Sequence, residues 1–381
     1  MIYFDNAATT GKKPQSVINA VSDALKNLCA NPGRSGHSLS QKAAMKVFEA
    51  RNAAADFFGS DKVETVVFTP NCTASINYVL KGVLSLGDHI VVSDLEHNAV
   101  MRPLKAMNID YTVAEVSLED DDETLENFKK AVKPNTKMIF CTAASNVLGK
   151  ILPLDKIGNF CKQEGILFGV DAAQGAGVIP INMTDMNIDY LCISAHKGLY
   201  CPMGLGILIA RGPIKKTIIE GGTGTDSVQF IQPDTLPEML ESGTVNLPAI
   251  AAVKEGIDFV KGHRNCVLKY ENNLVKQFYN KLQNGDVIFY TNPNSVGYAP
   301  VICFNVSGLL SEETAGILSK NGFALRAGLH CAPTAHRKIG TINGGAVRFS
   351  PSVFNTAREV DMLVNQLKIL KNFSKKYKNH Y

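Results

Sequence analysis

Two apolar runs in this sequence end on side chains that could share one piece of chemistry. Ile188-Asp189-Tyr190-Leu191-Cys192-Ile193 reads as a buried strand and delivers Ser194-Ala195-His196-Lys197-Gly198, and Phe168-Gly169-Val170 does the same for Asp171-Ala172-Ala173-Gln174. Taken singly, a lysine at a strand end is ordinarily a solvated loop residue, because charged side chains mostly face water. A lysine and a carboxylate on neighbouring strand ends say more. Pyridoxal phosphate (PLP) chemistry needs a lysine for a Schiff base and an acid facing the pyridine nitrogen, since the protonated ring draws electrons from a carbanion. Lys197 and Asp171 are the candidates for those two parts.

Other candidates hold comparable positions. After the strand Val66-Val67-Phe68-Thr69, small polar residues from Asn71 to Asn77 open a helix. First-turn N–H groups have no internal acceptor and lie at the positive end of the dipole, so Thr73 and Ala74 sit where a phosphate would bind. The strand from His89 to Ser93 leads to Glu96-His97, and the strand from Lys137 to Thr142 leads to Ser145-Asn146-Val147-Leu148-Gly149. Strands alternate with helices through residues 60–211, the pattern of a mostly parallel sheet covered on both faces. Ligands bind such sheets at the carboxyl ends of strands. Thr73, His97, Asn146, Asp171, Gln174 and Lys197 all fall there, and six polar residues obeying one topological rule outweigh the plain structural reading of each alone.

The frame that must position them is 381 residues long, enough for two cores. We expect an N-terminal segment (1–13), a large α/β domain (14–246) and a smaller α+β domain (247–381) entered through a helix over 247–260. Hydrophobic content of 45% and charged content of 19% describe an ordinary globule, and a net charge of +4 is too weak to argue for nucleic acid or a membrane surface. Lys371, Lys375, Lys376 and Lys378 read as a solvated helix end. With no basic leader followed by an apolar run, and no run long enough to span a bilayer, the expected location is cytoplasmic. Nine cysteines, odd in number and never spaced C-x-x-C, argue against a disulfide framework and a metal site. Most lie in apolar runs and read as small core residues. Cys331 differs, lying in a Gly-containing stretch with Arg326 and His330, where nearby cations would lower a thiol pKa. Arg348 has the planar fork that suits a carboxylate, the plain alternative being a structural arginine on an edge strand.

Taken together, D-N-A-A-T-T (5–10), R-x-x-H-x-L-S (34–40), S-N-V-x-G (145–149), D-A-A-Q (171–174), S-A-H-K (194–197), E-S-G-T-V-N (241–246) and R-A-G-L-H-C-A (326–332) resemble the class V aminotransferase superfamily of PLP enzymes. Within it they resemble the cysteine desulfurases and selenocysteine lyases, over nearly the whole chain. The resemblance implies a PLP-dependent transferase of fold type I, with a seven-stranded type of sheet in the large domain. It implies that Lys197 holds the cofactor and takes the substrate α-proton, Asp171 faces the ring nitrogen, His97 stacks on the ring, and Gln174 bonds the ring hydroxyl. Thr73, Ser194 and His196 would hold the phosphate, Cys72 standing where the family has its first threonine. Thr244 would reach the phosphate of a partner subunit, which implies a homodimer. Arg348, Asn146, Arg326 and His37 would bind substrate, with the Asn146 amide able to bond the cofactor's ring hydroxyl instead. Cys331 would take sulfur from L-cysteine as a persulfide and pass it to a sulfur-acceptor protein; Leu329 stands where the family often has a second histidine. The alternatives are a selenocysteine lyase acting on L-selenocysteine, a class V aminotransferase or epimerase in which Cys331 is idle, and a non-catalytic protein of the same fold. No metal, nucleic acid or membrane is implied.

Overall fold

The computed structural model describes residues 1–33, 36–225 and 227–378, the side chains of 264, 265 and 371–378 excepted, so the terminal lysines lie outside the described side chains. The chain divides into two compact units. Lys13–Ala143 with Pro153–Gly262 forms the larger, and Met1–Lys12, Ala144–Leu152 and His263–Tyr381 form the smaller.

The larger unit is built on seven strands in the spatial order Val66–Thr69, Gly206–Ala210, Tyr190–Ser194, Leu167–Asp171, Thr136–Thr142, His89–Ser93, Asp110–Ala114. The last five are parallel to one another, and Gly206–Ala210 runs antiparallel to both of its neighbours. Every residue of Tyr190–Ser194 and Gly206–Ala210 is buried, as expected of strands covered on both faces. The edge strand Asp110–Ala114 is mostly exposed. The mostly parallel α/β sheet expected from the alternation of strands and helices is thus observed, with its carboxyl ends carrying the candidate residues.

The smaller unit has a four-stranded antiparallel sheet ordered Arg326–Gly328, Ala346–Phe349, Ile302–Val306, Val287–Phe289, and a parallel pair Ile2–Tyr3 with Phe323–Ala324. Its core is aromatic, with Phe278 stacked on Phe349 at 4.4 Å between centroids and Phe4 packed on Phe349 at 4.8 Å.

Two features differ from the sequence reading. The helix expected over 247–260 is Leu247–Leu282, and the unit boundary falls inside it, at 262/263, rather than at 246/247. Gly262 and the polar residues around it interrupt the apolar repeat, but one helical glycine costs only about 1 kcal/mol. Val267, Leu274, Val275, Phe278 and Leu282 resume the repeat and are buried. The second difference is that residues 144–152 belong to the smaller unit. Gly149 makes this possible: its φ is +71°, and a Cβ there would lie 2.4 Å from the Val301 carbonyl oxygen. The segment is tied in by Ala299 N–H to Gly149 O at 2.7 Å and Ile151 N–H to Gly297 O at 2.8 Å. Among the described residues no helix is long and apolar enough to cross a membrane.

Candidate active site residues in each unit

In the larger unit, Ser194 closes its strand and the chain turns at once. Lys197 N–H bonds Ser194 O at 3.3 Å, and Tyr200 N–H bonds Lys197 O at 2.9 Å. Asp171 closes the adjacent strand and pairs with Cys192. The two turns touch backbone to backbone. A Cβ on Gly177 (φ +78°) would meet Gly198 O at 2.3 Å, and one on Gly198 would meet Ala176 O at 2.2 Å. Lys197 is therefore held half-buried beside the loop that carries the buried Asp171 and Gln174. Asp171 Oδ1 accepts from Ala173 N–H at 2.9 Å and from the Cys72 thiol at 3.6 Å. Burial, then the Asp171 charge, push the Cys72 thiol far up, so it stays an S–H donor. What reads in the sequence as a missing threonine is here a partner of the site's carboxylate.

The helix Cys72–Val83 follows the strand Val66–Thr69, with Asn71 as its cap. Asn71 Oδ1 accepts from Ala74 N–H at 3.0 Å. The Ala74 N–H, expected to serve a phosphate, is thus taken by the cap, while Thr73 is exposed. His97 caps the helix Asn98–Ala106 in the same way, its Nδ1 accepting from Ala99 N–H at 3.0 Å. That bond places the proton of the neutral ring on Nε2. Beside it Glu96 is fully buried, accepting from the Ser93 hydroxyl and from Thr142 N–H at 2.9 Å. Burial pushes its carboxyl up to about 8, with a smaller upward push from Asp171.

His196 is pushed down to about 4, by burial first and then by the Lys197 and Lys13 ammonium groups, so at neutral pH its ring is uncharged. Lys13 was not singled out in the sequence. Its Nζ donates to the His196 carbonyl at 3.1 Å, and burial lowers it to about 8. Thr244 is exposed on a loop anchored by Glu241, whose Oε1 accepts from Arg51 Nη1 at 2.7 Å and from Phe68 N–H at 2.6 Å. The Arg51 guanidinium lies over the Phe68 ring at 4.8 Å. His37 is exposed and caps the helix Ser38–Phe58, its Nδ1 accepting from Ser40 N–H at 3.2 Å; Arg34 and Ser35, of the same motif, lie outside the described residues.

In the smaller unit, Ala332 N–H bonds Leu329 O at 2.9 Å and closes a turn whose central residues, His330 (φ 50°) and Cys331 (φ 57°), are both left-handed. This is the type I′ pattern, usually built from Asn and Gly. With two side chains in it, the turn stores about 1–3 kcal/mol per residue, a level of strain that clusters at functional sites. Cys331 is exposed on this turn, whereas six of the nine cysteines are buried. Burial pushes the thiols of Cys201 and Cys303 up to about 12.

One element of the sequence reading is corrected here. His330 was expected as a cation beside the thiol; it is only 3% exposed and pushed down to about 3, by burial and then by the Arg348 charge. His330 is neutral, which leaves Arg326, exposed on its short strand, as the cation of that pair. The Asn146 amide, expected to face cofactor or substrate, donates from Nδ2 to the His330 carbonyl at 2.7 Å. Arg348 is 1% exposed on a strand with neighbours on both sides, so it is not an edge arginine. Its Nη1 donates to Asn146 O at 3.2 Å and its Nη2 to Asp5 Oδ1 at 2.7 Å, while the buried Nε has no partner among the described residues. Asp5 lies in the N-terminal motif, but its pairing with a residue 343 positions away carries no local signal.

Residues 2–363 match the model of the aminotransferase class-V family. The chain belongs to that family, and its relatives are cysteine desulfurases. A probable cysteine desulfurase of Pyrococcus abyssi is 32% identical, over 97% of this chain and 94% of its own. A cysteine desulfurase of Haloferax volcanii is 29% identical, over 96% and 88%. Among solved structures, the apo cysteine desulfurase of Thermococcus onnurineus NA1 matches with a TM-score of 0.89 at 32% identity, covering 97% of this chain and 94% of that one. The Escherichia coli cysteine desulfurase CsdA matches at 0.85 and 25%, covering 96% and 93%. The mostly parallel sheet of the larger unit and the small antiparallel sheet are the fold of these enzymes.

Proposed function

We propose that this chain is a PLP-dependent cysteine desulfurase that converts L-cysteine to L-alanine, leaves the sulfur as a persulfide on Cys331 and hands it to an acceptor protein. The observation that carries this reading is the Cys331 turn: an exposed thiol on a strained, non-glycine turn, in the unit where a buried arginine keeps one guanidinium nitrogen unpartnered. The donor set of the larger unit fits PLP. It offers a half-buried lysine, a buried carboxylate whose two protein bonds both fall on Oδ1, a helix N-terminus with the Thr73 hydroxyl, and a neutral His196 able to donate. When bound, PLP supplies an electron sink for the substrate α-carbon.

The chain's own residues do the rest. Lys197 would anchor the cofactor and take the α-proton; Asp171 would bond the ring nitrogen and Gln174 the ring hydroxyl. His97 presents Nε2–H, while Ser194, His196, Thr73 and Thr244 of a second copy would hold the phosphate, which would make the enzyme a homodimer. Arg348 binds the substrate carboxylate, with Arg326 and His37 contributing charge and polarity. The Cys331 thiol gains one sulfur atom and the amino acid leaves as alanine, so that cysteine and thiol become alanine and persulfide. The absence of an apolar crossing helix among the described residues accords with a cytoplasmic enzyme.

The deciding experiment measures alanine and sulfide release from L-cysteine, with a reductant, by wild type and Cys331→Ala. Both products from the wild type and little of either from a variant that still binds PLP support the desulfurase. Equal activity in the two makes Cys331 a bystander and the chain another class V enzyme. A parallel run with L-selenocysteine ranks the lyase alternative.

A further inference from the structure

Beneath Cys331 lies a chain of buried polar groups that the proposed reaction does not use. His330 and His336 are 3% and 0% exposed, with rings 5.5 Å apart and tilted by 16°. Buried polar groups are costly unless bonded, and the bonds here fix each proton in turn. A carbonyl only accepts, so His330 Nε2, 3.3 Å from Arg326 O, carries a hydrogen. Arg326 and Arg348, the latter paired with Asp5, are the charged groups that face His330, and both oppose a second proton on its ring. His330 Nδ1 is therefore a bare lone pair, and His336 Nε2, 3.3 Å away, donates to it. His336 Nδ1 in turn accepts from the Thr341 hydroxyl at 2.7 Å. Every ring nitrogen is engaged, and the direction runs from Thr341 through both rings to the Arg326 carbonyl.

We infer that His336 and Thr341 are positioning residues for Cys331: acting through His330, they hold the left-handed His330-Cys331 turn in place and leave His330 no lone pair with which to take the thiol proton. The turn is gripped from two sides, its main chain by Asn146 Nδ2 on the His330 carbonyl and its side chain by the His336 ring. The proton of Cys331 accordingly leaves to a group other than its neighbour in sequence. This inference rests on the reading of Cys331 as the sulfur-accepting thiol.

The test uses the holoenzyme carrying His336→Leu, His336→Gln or Thr341→Val, with Cys331→Ala alongside. Alanine release gives kcat and KM, and hydrogen exchange reports the Ala332 amide that closes the turn. His336→Leu is expected to lower kcat about a hundredfold with KM changed by less than about threefold, as a misplaced reacting group does. Its Ala332 amide should lose protection while the amides of the seven-stranded sheet keep theirs. Glutamine can donate to His330 Nδ1 and accept from Thr341, so His336→Gln should restore most of both signals; Thr341→Val should show a smaller loss in the same direction. Wild-type kcat and protection in His336→Leu, or equal losses in the leucine and glutamine variants, would overturn the inference. Should His336→Leu not fold, Thr341→Val against wild type decides, and unchanged kcat and protection there sink the idea. A fully active Cys331→Ala would instead mean that the desulfurase reading itself has failed.

Discussion

Both units place a histidine one residue before the side chain proposed to act, His196 before Lys197 and His330 before Cys331, and both histidines are neutral. They are held by opposite means. The Lys197 turn is fixed by main chain against main chain, with Gly177 and Gly198 removing the Cβ atoms that would separate the two strand ends. The Cys331 turn is fixed by side chains, through two imidazoles, a threonine and Asn146, and it carries its strain in residues that are not glycine. A loop held by its backbone tolerates changed side chains but no added methyl group; a turn held by side chains behaves the other way round.

The sharpest way to break that contrast lies in the larger unit itself, where the Thr244 loop is held by side chains. Arg51→Ala strands the Glu241 carboxylate, whose side chain is 9% exposed, and should cost about 3–5 kcal/mol, read as a shift in the urea midpoint. A cost below about 1 kcal/mol, the range of an exposed pair, would remove this exception to the rule. Next in size, Gly177→Ala adds a methyl group 2.3 Å from a carbonyl oxygen at a φ of +78° and should cost about 2–4 kcal/mol in the same assay. If it melts like the wild type, the backbone contact does not hold the Lys197 turn.

The smallest effect is the pH dependence shared by both units. Unfolded histidine binds its proton near 6.5, whereas the folded protein resists it until about 4 at His196 and about 3 at His330. The unfolded state therefore binds more protons below 6.5, and stability falls as pH drops from about 6.5 toward 4; above 7 neither group contributes. Glu96, held near 8, takes its proton earlier in the folded state and offsets part of this loss, so the histidine share is read by difference: between pH 7.5 and 5 the urea midpoint should fall less in His196→Asn than in the wild type. An unchanged slope in His196→Asn would leave His330 as its source among the two.

The sequence is most legible where the chemistry sits on long strands. Lys197 and Asp171 follow runs of four or more apolar residues and His97 follows the wholly buried strand His89–Ser93, and their placement follows from the rule for parallel sheets. The strands that lead to Cys331 offer no such runs: Phe323–Ala324 and Arg326–Gly328 are too short for an alternation to register. The Arg348–Asp5 pair and the His330–His336 bond depend on contacts that no local pattern announces. Lys13, and the bond from Cys72 to Asp171, escaped for a different reason, since a buried thiol beside an acid and a lysine on a carbonyl look like ordinary core and surface residues until their partners are seen. Likewise the helix reads as ending at 260 because buried residues resume only at Val267.

The smaller unit is assembled from three separated stretches, the first residues, the excursion around Gly149 and everything from His263 onward. A ribosome completes the seven strands of the larger unit once residue 210 has been made, so that sheet can pair while synthesis continues. Asp5 and Asn146, by contrast, emerge early and wait for Arg348 and His330, among the last parts of the chain to appear. Maturation of the thiol-bearing turn is thereby tied to completion of the polypeptide: a nascent or prematurely terminated chain displays the lysine loop without the turn that presents Cys331.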